Sequence, residues 1–240
     1  MMKKILTLLF CTFLLHVNAQ EKLKIEYEFR NVFDIENASD ARSKETYRNS
    51  NEKRLYFELI TSQTESTFNK IDRVDNSQNR SGMSISFVSG PGGFYYKNLT
   101  EKYSLSELNY NGKNLLILDS LKQQNWKLER EKSKILGFDV KKAVLQESDN
   151  KTIEVWYASK LNFKNGPSNY EGLPGVILKL VATNKANNQI NKQIYLATKV
   201  ELSDKFKVVK PTKGKQINQT EFDQMVEVDN KKFNEMFLQK

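Results

Sequence analysis

The 240-residue chain has one cysteine, Cys11, and one histidine, His16. Both stand in its first nineteen residues, where Lys3 and Lys4 precede an apolar run from Ile5 to Val17 that closes on the small residue Ala19. That order is the pattern of a secretory signal peptide, 1–19, cut after Ala19. The run is well short of the ~20 apolar residues that span a bilayer, so no transmembrane span is expected once it is removed. Phe10 is too bulky for the residue before a lipidated cysteine. The mature chain, 20–240, is then expected to hold neither cysteine nor histidine. It has no disulfide to lean on. A Ser-His-Asp or Cys-His constellation and a nitrogen- or sulfur-ligated zinc site are likewise excluded. Stability falls to an ordinary hydrophobic core, which a single domain of about 220 residues can supply.

Oxygen-only metal loops are missing too. No D-x-[DN]-x-[DN]-G run occurs, and Asp72, Asp75 and Asn76 form only a loose group, so no metal and no cofactor are expected. Acidic residues are outnumbered: the formal charge of +9 becomes +7 when Lys3 and Lys4 leave. For an exported chain this points to anionic lipid headgroups, through peripheral membrane contact, or to acidic polysaccharide, with no nucleic acid partner. The competing reading is that lysines solvate a β-rich surface and guard its edges.

What the sequence does contain is period-two alternation. Leu23-Lys24-Ile25-Glu26-Tyr27-Glu28-Phe29 puts apolar residues on one face and charges on the other. Strand-like runs follow at 55–61, 66–71 and 83–88, the last ending at the turn 90–93 before Phe94-Tyr95-Tyr96. A buried run, 115–118, comes after the turn Asn111-Gly112. The pairs 138–146 with 152–158, and 176–181 with 193–200, read as hairpins. Few helical patterns interrupt them, which predicts an antiparallel meander. The polar stretch 31–53 is given no element. A basic connector, 205–219, precedes a helix at about 220–238 that opens on Thr220-Glu221-Phe222-Asp223 as a capping box. Phe222, Met225, Val226, Phe233, Met236 and Phe237 form its apolar stripe, expected to pack on the sheet. The fold class is therefore mainly β: one domain, a curved antiparallel sheet or half-barrel, with a C-terminal α-helix.

Residues 169–180, NYEGLPGVILKL, raise the question of a phosphate cradle. A phosphate loop needs G-x-x-x-x-G-K-[ST] leading into a helix. Here Val176-Ile177-Leu178 follow Gly175 and read as a buried strand, so Pro174 and Gly175 are expected to form a type II turn with positive φ at Gly175. The turn closes an irregular stretch, 162–175, which also carries Gly166, Pro167, Gly172 and Leu173, a length typical of binding loops. Trp156, Tyr157, Tyr170 and Glu171 are its candidate contact residues. Two carboxylates run glycoside hydrolysis without histidine, which makes Glu154 and Glu171 the candidate catalytic pair. Ser168 is the best-placed serine for a Ser-Lys dyad, although no S-x-x-K or G-x-S-x-G element supports it.

At these residues the chain resembles the GLPGLI family of exported bacterial proteins, whose molecular activity is not established. The likeness runs through Trp126 in an early strand, Ile135, Gly137-Phe138, Lys142-Ala143, Val155-Trp156-Tyr157-Ala158, Gly166-Pro167, Gly172-Leu173-Pro174-Gly175-Val176-Ile177-Leu178, Pro211-Thr212-Lys213-Gly214-Lys215 and Glu221-Phe222. It departs at Val176, where the family name has leucine, and at Val140, near which many relatives carry a cysteine. The resemblance implies a GLPGLI-like β-rich domain over 20–240 and an envelope address, and it carries over no catalytic residue. The fold expectation is also similar to the half-barrel of periplasmic lipoprotein carriers, an analogy that licenses no function.

The expected function is noncatalytic binding of an apolar ligand or an envelope partner through a sheet face and the 162–175 loop. A carboxylate-dependent, metal-independent hydrolase of envelope glycans and a structural accessory of an outer-membrane assembly are the alternatives. The expected location is the periplasm or the outer membrane, or the medium after secretion. Mass analysis of the protein recovered from cells is expected to find Gln20 at its amino terminus. An intact Met1 in the membrane fraction would contradict both the address and the loss of cysteine and histidine.

Overall fold

The computed structural model describes residues 21–72, 94–186 and 189–238. The expected signal peptide, the expected run 83–88 and turn 90–93, and Asp75 and Asn76 lie outside them. Among the described residues twelve strands and two helices are formed: β1 (Lys22–Phe33), α1 (Ala41–Glu52), β2 (Leu55–Thr61), β3 (Glu65–Ile71), β4 (Phe94–Asn98), β5 (Tyr103–Tyr110), β6 (Lys113–Ser120), β7 (Lys127–Ile135), β8 (Phe138–Ser148), β9 (Lys151–Ala158), β10 (Val176–Ala186), β11 (Gln189–Ser203), β12 (Lys215–Asn218) and α2 (Gln219–Leu238).

All the strands join one sheet in the order β12-β6-β5-β4-β3-β2-β1-β11-β10-β9-β8-β7. Every pairing is antiparallel except β12 with β6. Two meanders, β1–β6 and β7–β11, are thus joined side by side through β1 and β11. The link from Ser120 to Lys127 explains the curvature. Those residues end and begin strands ten spacings apart, about 48 Å in a flat sheet. The link itself reaches at most about 25 Å. The sheet must curl until its two outer parts approach, and it forms an open half-barrel.

The concave face is the core. Along β1, Leu23, Ile25, Tyr27 and Phe29 are buried while the residues between them are half exposed. Burying each such side chain contributes about 1.5–3 kcal/mol. Phe57 and Phe68 stack at 5.1 Å, and Tyr195 meets Phe29 at 4.7 Å, which ties β11 to the β1–β3 side. The Tyr27 hydroxyl donates to the Ile177 carbonyl at 2.6 Å. Burial without a charged partner pushes that phenol's pKa well up.

Besides strands β5 and β7, which no sequence pattern announces, four features differ from the sequence expectation. The stretch 31–53 contains α1, a helix with no buried residue; Asp40 caps it by accepting from the Ser43 N–H at 2.8 Å, and Tyr47 stacks on Phe33 at 4.9 Å. The connector 205–219 ends in β12, a parallel strand. The capping box of α2 sits two residues earlier than expected: Asn218 Oδ1 accepts from the Glu221 N–H and Glu221 Oε2 accepts from the Asn218 N–H. Finally, the apolar stripe of α2 packs only in part. Phe222 and Met225 cover Leu115, Ile117 and Ile217, whereas Phe233 is 56% exposed.

Candidate functional site

Residues 159–175 leave β9 and return to β10 through the concavity rather than over the surface. Leu161, Phe163, Asn165, Tyr170, Glu171 and Leu173 are all buried. Asn165 and Glu171 form an isolated antiparallel bridge, and the Ile177 N–H donates to the Asn165 carbonyl at 3.0 Å. The expected type II turn is replaced by a tighter one: the Gly175 N–H donates to the Leu173 carbonyl at 2.8 Å across Pro174. Gly175 does have positive φ, at +151°. The stronger demand on it is space, because a Cβ there would lie 2.4 Å from the Ala158 carbonyl oxygen. At Gly166 a Cβ would lie 2.6 Å from Ile177 Cδ1.

The loop is held from both sides. From the sheet, Lys97 on β4 is fully buried and its Nζ donates to the Gly166 and Tyr170 carbonyls at 3.3 and 3.2 Å. Alternation on β4 explains its orientation, since Lys97 lies opposite Ser66 and Ser104 on the inner face. Burial lowers its pKa to about 7, opposed by the charge of Glu171. From the open side, the strap 121–126 between β6 and β7 clamps Glu171. Gln124 Oε1 accepts from the Glu171 N–H at 3.0 Å, and Trp126 Nε1–H donates to its carbonyl at 2.8 Å. Trp126 therefore belongs to this strap and not to a strand. The Glu171 carboxylate is almost fully buried, with Lys102 Nζ 3.6 Å from Oε1. Glu171 Oε2 and Ser66 Oγ have no hydrogen-bond partner among the described residues.

Tyr170 and Glu171 thus face the interior, not ligand or solvent. The Tyr170 hydroxyl donates to Glu147 Oε1 at 3.2 Å, and burial with that carboxylate raises its pKa. Tyr157 points inward and is buried, and Trp156 is half buried against the same core. Glu154 lies between the fully buried Ile153 and Val155, so it points to the convex face, where Lys142 Nζ is 3.1 Å from Oε2. Glu154 and Glu171 therefore stand on opposite faces of the sheet. Ser168 adopts φ +55° in the loop. Lys97, Gln124 and Lys102 went unrecognised in the sequence. Only the apolar Tyr95-Tyr96 before Lys97 hinted that its strand was buried. No group of three or more His, Cys, Asp or Glu able to hold a metal ion occurs among the described residues.

The family model described as "N-glycanase peptide, N-terminal domain" matches residues 94–228, more than half of the chain. Two solved structures, of PNGF-II in C2 and in P21 space groups, share the fold with TM-scores of 0.56. They are 20% and 22% identical; each match covers 86% of this chain, and 32% and 33% of theirs. The chain thus spans about a third of the length of these relatives. No curated protein matches it.

Two predictions follow from the loop's burial. In urea denaturation Gly175→Ala is expected to cost clearly more than ~1 kcal/mol, Pro174→Ala less than that, and Tyr170→Ala about 3 kcal/mol through the cavity left by its ring. Near-neutral Tyr170→Ala would mean that the ring is not core. The second concerns Lys97. Between its folded pKa of about 7 and its unfolded value of about 10.4, the unfolded chain holds a proton that the native chain lacks. Stability should therefore rise with pH over that window, by at most about 1.4 kcal/mol per pH unit. Buried Tyr27, Tyr170 and Tyr195, whose pKa values are raised, reverse the trend above about pH 10. Unfolding of the protein and of Lys97→Met from pH 6 to 9.5 checks this; equal slopes would contradict it.

Proposed function

The chain belongs to the family of N-glycanase N-terminal domains, and from that premise we propose that it is an exported, noncatalytic recognition module whose partner bears glycans. The observation that carries this reading is the loop filling its own sheet's concavity. The inner face, expected to receive an apolar ligand, is occupied by Leu161, Phe163, Tyr170 and Leu173. Recognition then falls to what the closed mouth presents outward. Around it gather Gln63, which donates to the Asn162 carbonyl at 2.8 Å, and Gln124, which donates to the Asn169 carbonyl at 3.0 Å. Lys102 and the half-buried Trp126 complete the surface. Amides offer both donors and acceptors to sugar hydroxyls. An indole fixed by its own N–H bond offers a rigid apolar face. Exported location and the likeness to GLPGLI proteins fit this reading and form part of the proposal.

A glycan hydrolase is the weaker reading. Its two carboxylates must flank one bond at about 5–10 Å, and Glu154 and Glu171 point to opposite faces. The relatives' name describes chains of which this one covers about a third, so their activity is not carried over. Calorimetry of the mature protein with an N-glycosylated glycoprotein, before and after enzymatic removal of its glycans, tests the proposal. Binding is expected only before removal, and Gln63→Ala with Lys102→Ala should weaken it tenfold or more. Equal binding to the stripped protein would contradict it. Release of glycan by the chain itself would favour the hydrolase.

A further inference from the structure

The connector from β11 to β12 crosses seven strand spacings, about 34 Å at ~4.8 Å each. The residues between Ser203 and Lys215 bridge that only when nearly extended, which is why 206–213 form neither helix nor turn. The path lies on the convex face. Phe206 lies under Lys24 at 5.0 Å, and Lys210 Nζ donates to the outward Tyr103 hydroxyl at 2.8 Å. Phe206 and Val208 are half buried and Pro211 is buried, so these residues pin the segment down. Lys205, Lys207 and Lys213 are left exposed, with Val209 among them.

Ion pairing distinguishes the lysines of this segment from several, not all, of those on the strands. Lys24, Lys142 and Lys199 on strands are ion-paired with glutamates. No carboxylate lies within 4.0 Å of Lys205, Lys207 or Lys213 among the described residues, and no acidic residue occurs in the sequence from Lys205 to Lys215. In an extended segment alternate residues repeat at about 6.6 Å, so Lys205 and Lys207 stand close together and Lys213 stands about 20 Å further along the same line. Beside Lys205, Lys207 and Lys210 runs a groove of about 620 Å³, whose wall adds Lys22 and Ser62 and also two acids, Glu65 and Asp204, so that its lysines outnumber its carboxylates four to two.

We propose that this strap docks a linear acidic polysaccharide. The strap supplies cations along one line to a chain that carries one carboxylate per sugar, and the groove gives that chain a bed. A membrane surface fits less well, because interfacial binding needs a broad apolar face and the strap exposes only Val209, 58% accessible. The groove adjoins the loop mouth at Ser62, next to Gln63, but the lysines exchanged below belong to neither the loop nor its clamp, so the two proposals are tested by different residues.

The test is calorimetry of the mature protein with polygalacturonate at 20 mM and 200 mM salt, beside neutral dextran and vesicles of phosphatidylcholine and phosphatidylglycerol. Polygalacturonate is expected to bind at low salt and to weaken at high salt. Neutral dextran should not bind. Lys205→Gln with Lys207→Gln and Lys213→Gln should weaken binding tenfold or more, with an unchanged melting curve. A control with the same charge change on exposed residues at the opposite end of the sheet, Lys53→Gln with Lys185→Gln and Lys192→Gln, should stay within twofold. Lysine acetylation of the unmutated protein supplies a second measure, with polygalacturonate expected to protect Lys205, Lys207 and Lys213. Equal loss in both triple variants, absence of protection, or binding to the vesicles alone would overturn the proposal.

Discussion

A loop buried in a protein core carries backbone N–H and C=O groups that no ladder satisfies, and each one left unpaired away from water costs about as much as a lost hydrogen bond. The 159–175 loop meets that constraint with partners from three places. It bridges to itself at Asn165 and Glu171. It receives Lys97 from the sheet. It receives Gln124 and Trp126 from the strap on the open side. Remove those partners and the concave face of a curled sheet has nothing to cover it.

The arrangement also accounts for polar residues in an otherwise apolar interior. A buried lysine is costly to keep charged, and burial accordingly lowers its pKa. Yet one ammonium supplies three donors, and two of them reach carbonyls of a loop that also carries Glu171. Thr61, Ser66, Ser104 and Asn165 cluster on the same inner face. The half-barrel is thus apolar around β1 and polar beneath the loop, and Asn165 reaches Thr61 Oγ1 at 3.1 Å to join the loop to β2.

The legible parts of the fold were those in which burial writes a period into the sequence. Strands β1, β2, β9 and β10 alternate or run apolar because one face or both are covered. Strand β7, KLEREKSKI, was not recognised because it is an edge strand exposed on nearly every residue. Strand β5 hid behind Ser104 and Ser106, which are buried yet polar. Helix α1 buries nothing, so it has no apolar stripe to read. The loop was found from its glycines and prolines, but its direction was not. Glu171 and Tyr170 look like surface residues by type, and only the distant Lys97, Gln124 and Trp126 make them interior. No local pattern encodes a partner that comes from 45 residues away or more.

Everything above depends on the loop being core rather than surface. Native-state hydrogen exchange resolved at single amides tests that most directly, at the N–H groups of Glu171, Gly172 and Ile177, which donate to Gln124, Lys164 and Asn165. They should exchange as slowly as the ladder amides of β1, through global unfolding. Exchange at the rate of an open surface loop, with β1 still protected, would contradict the account.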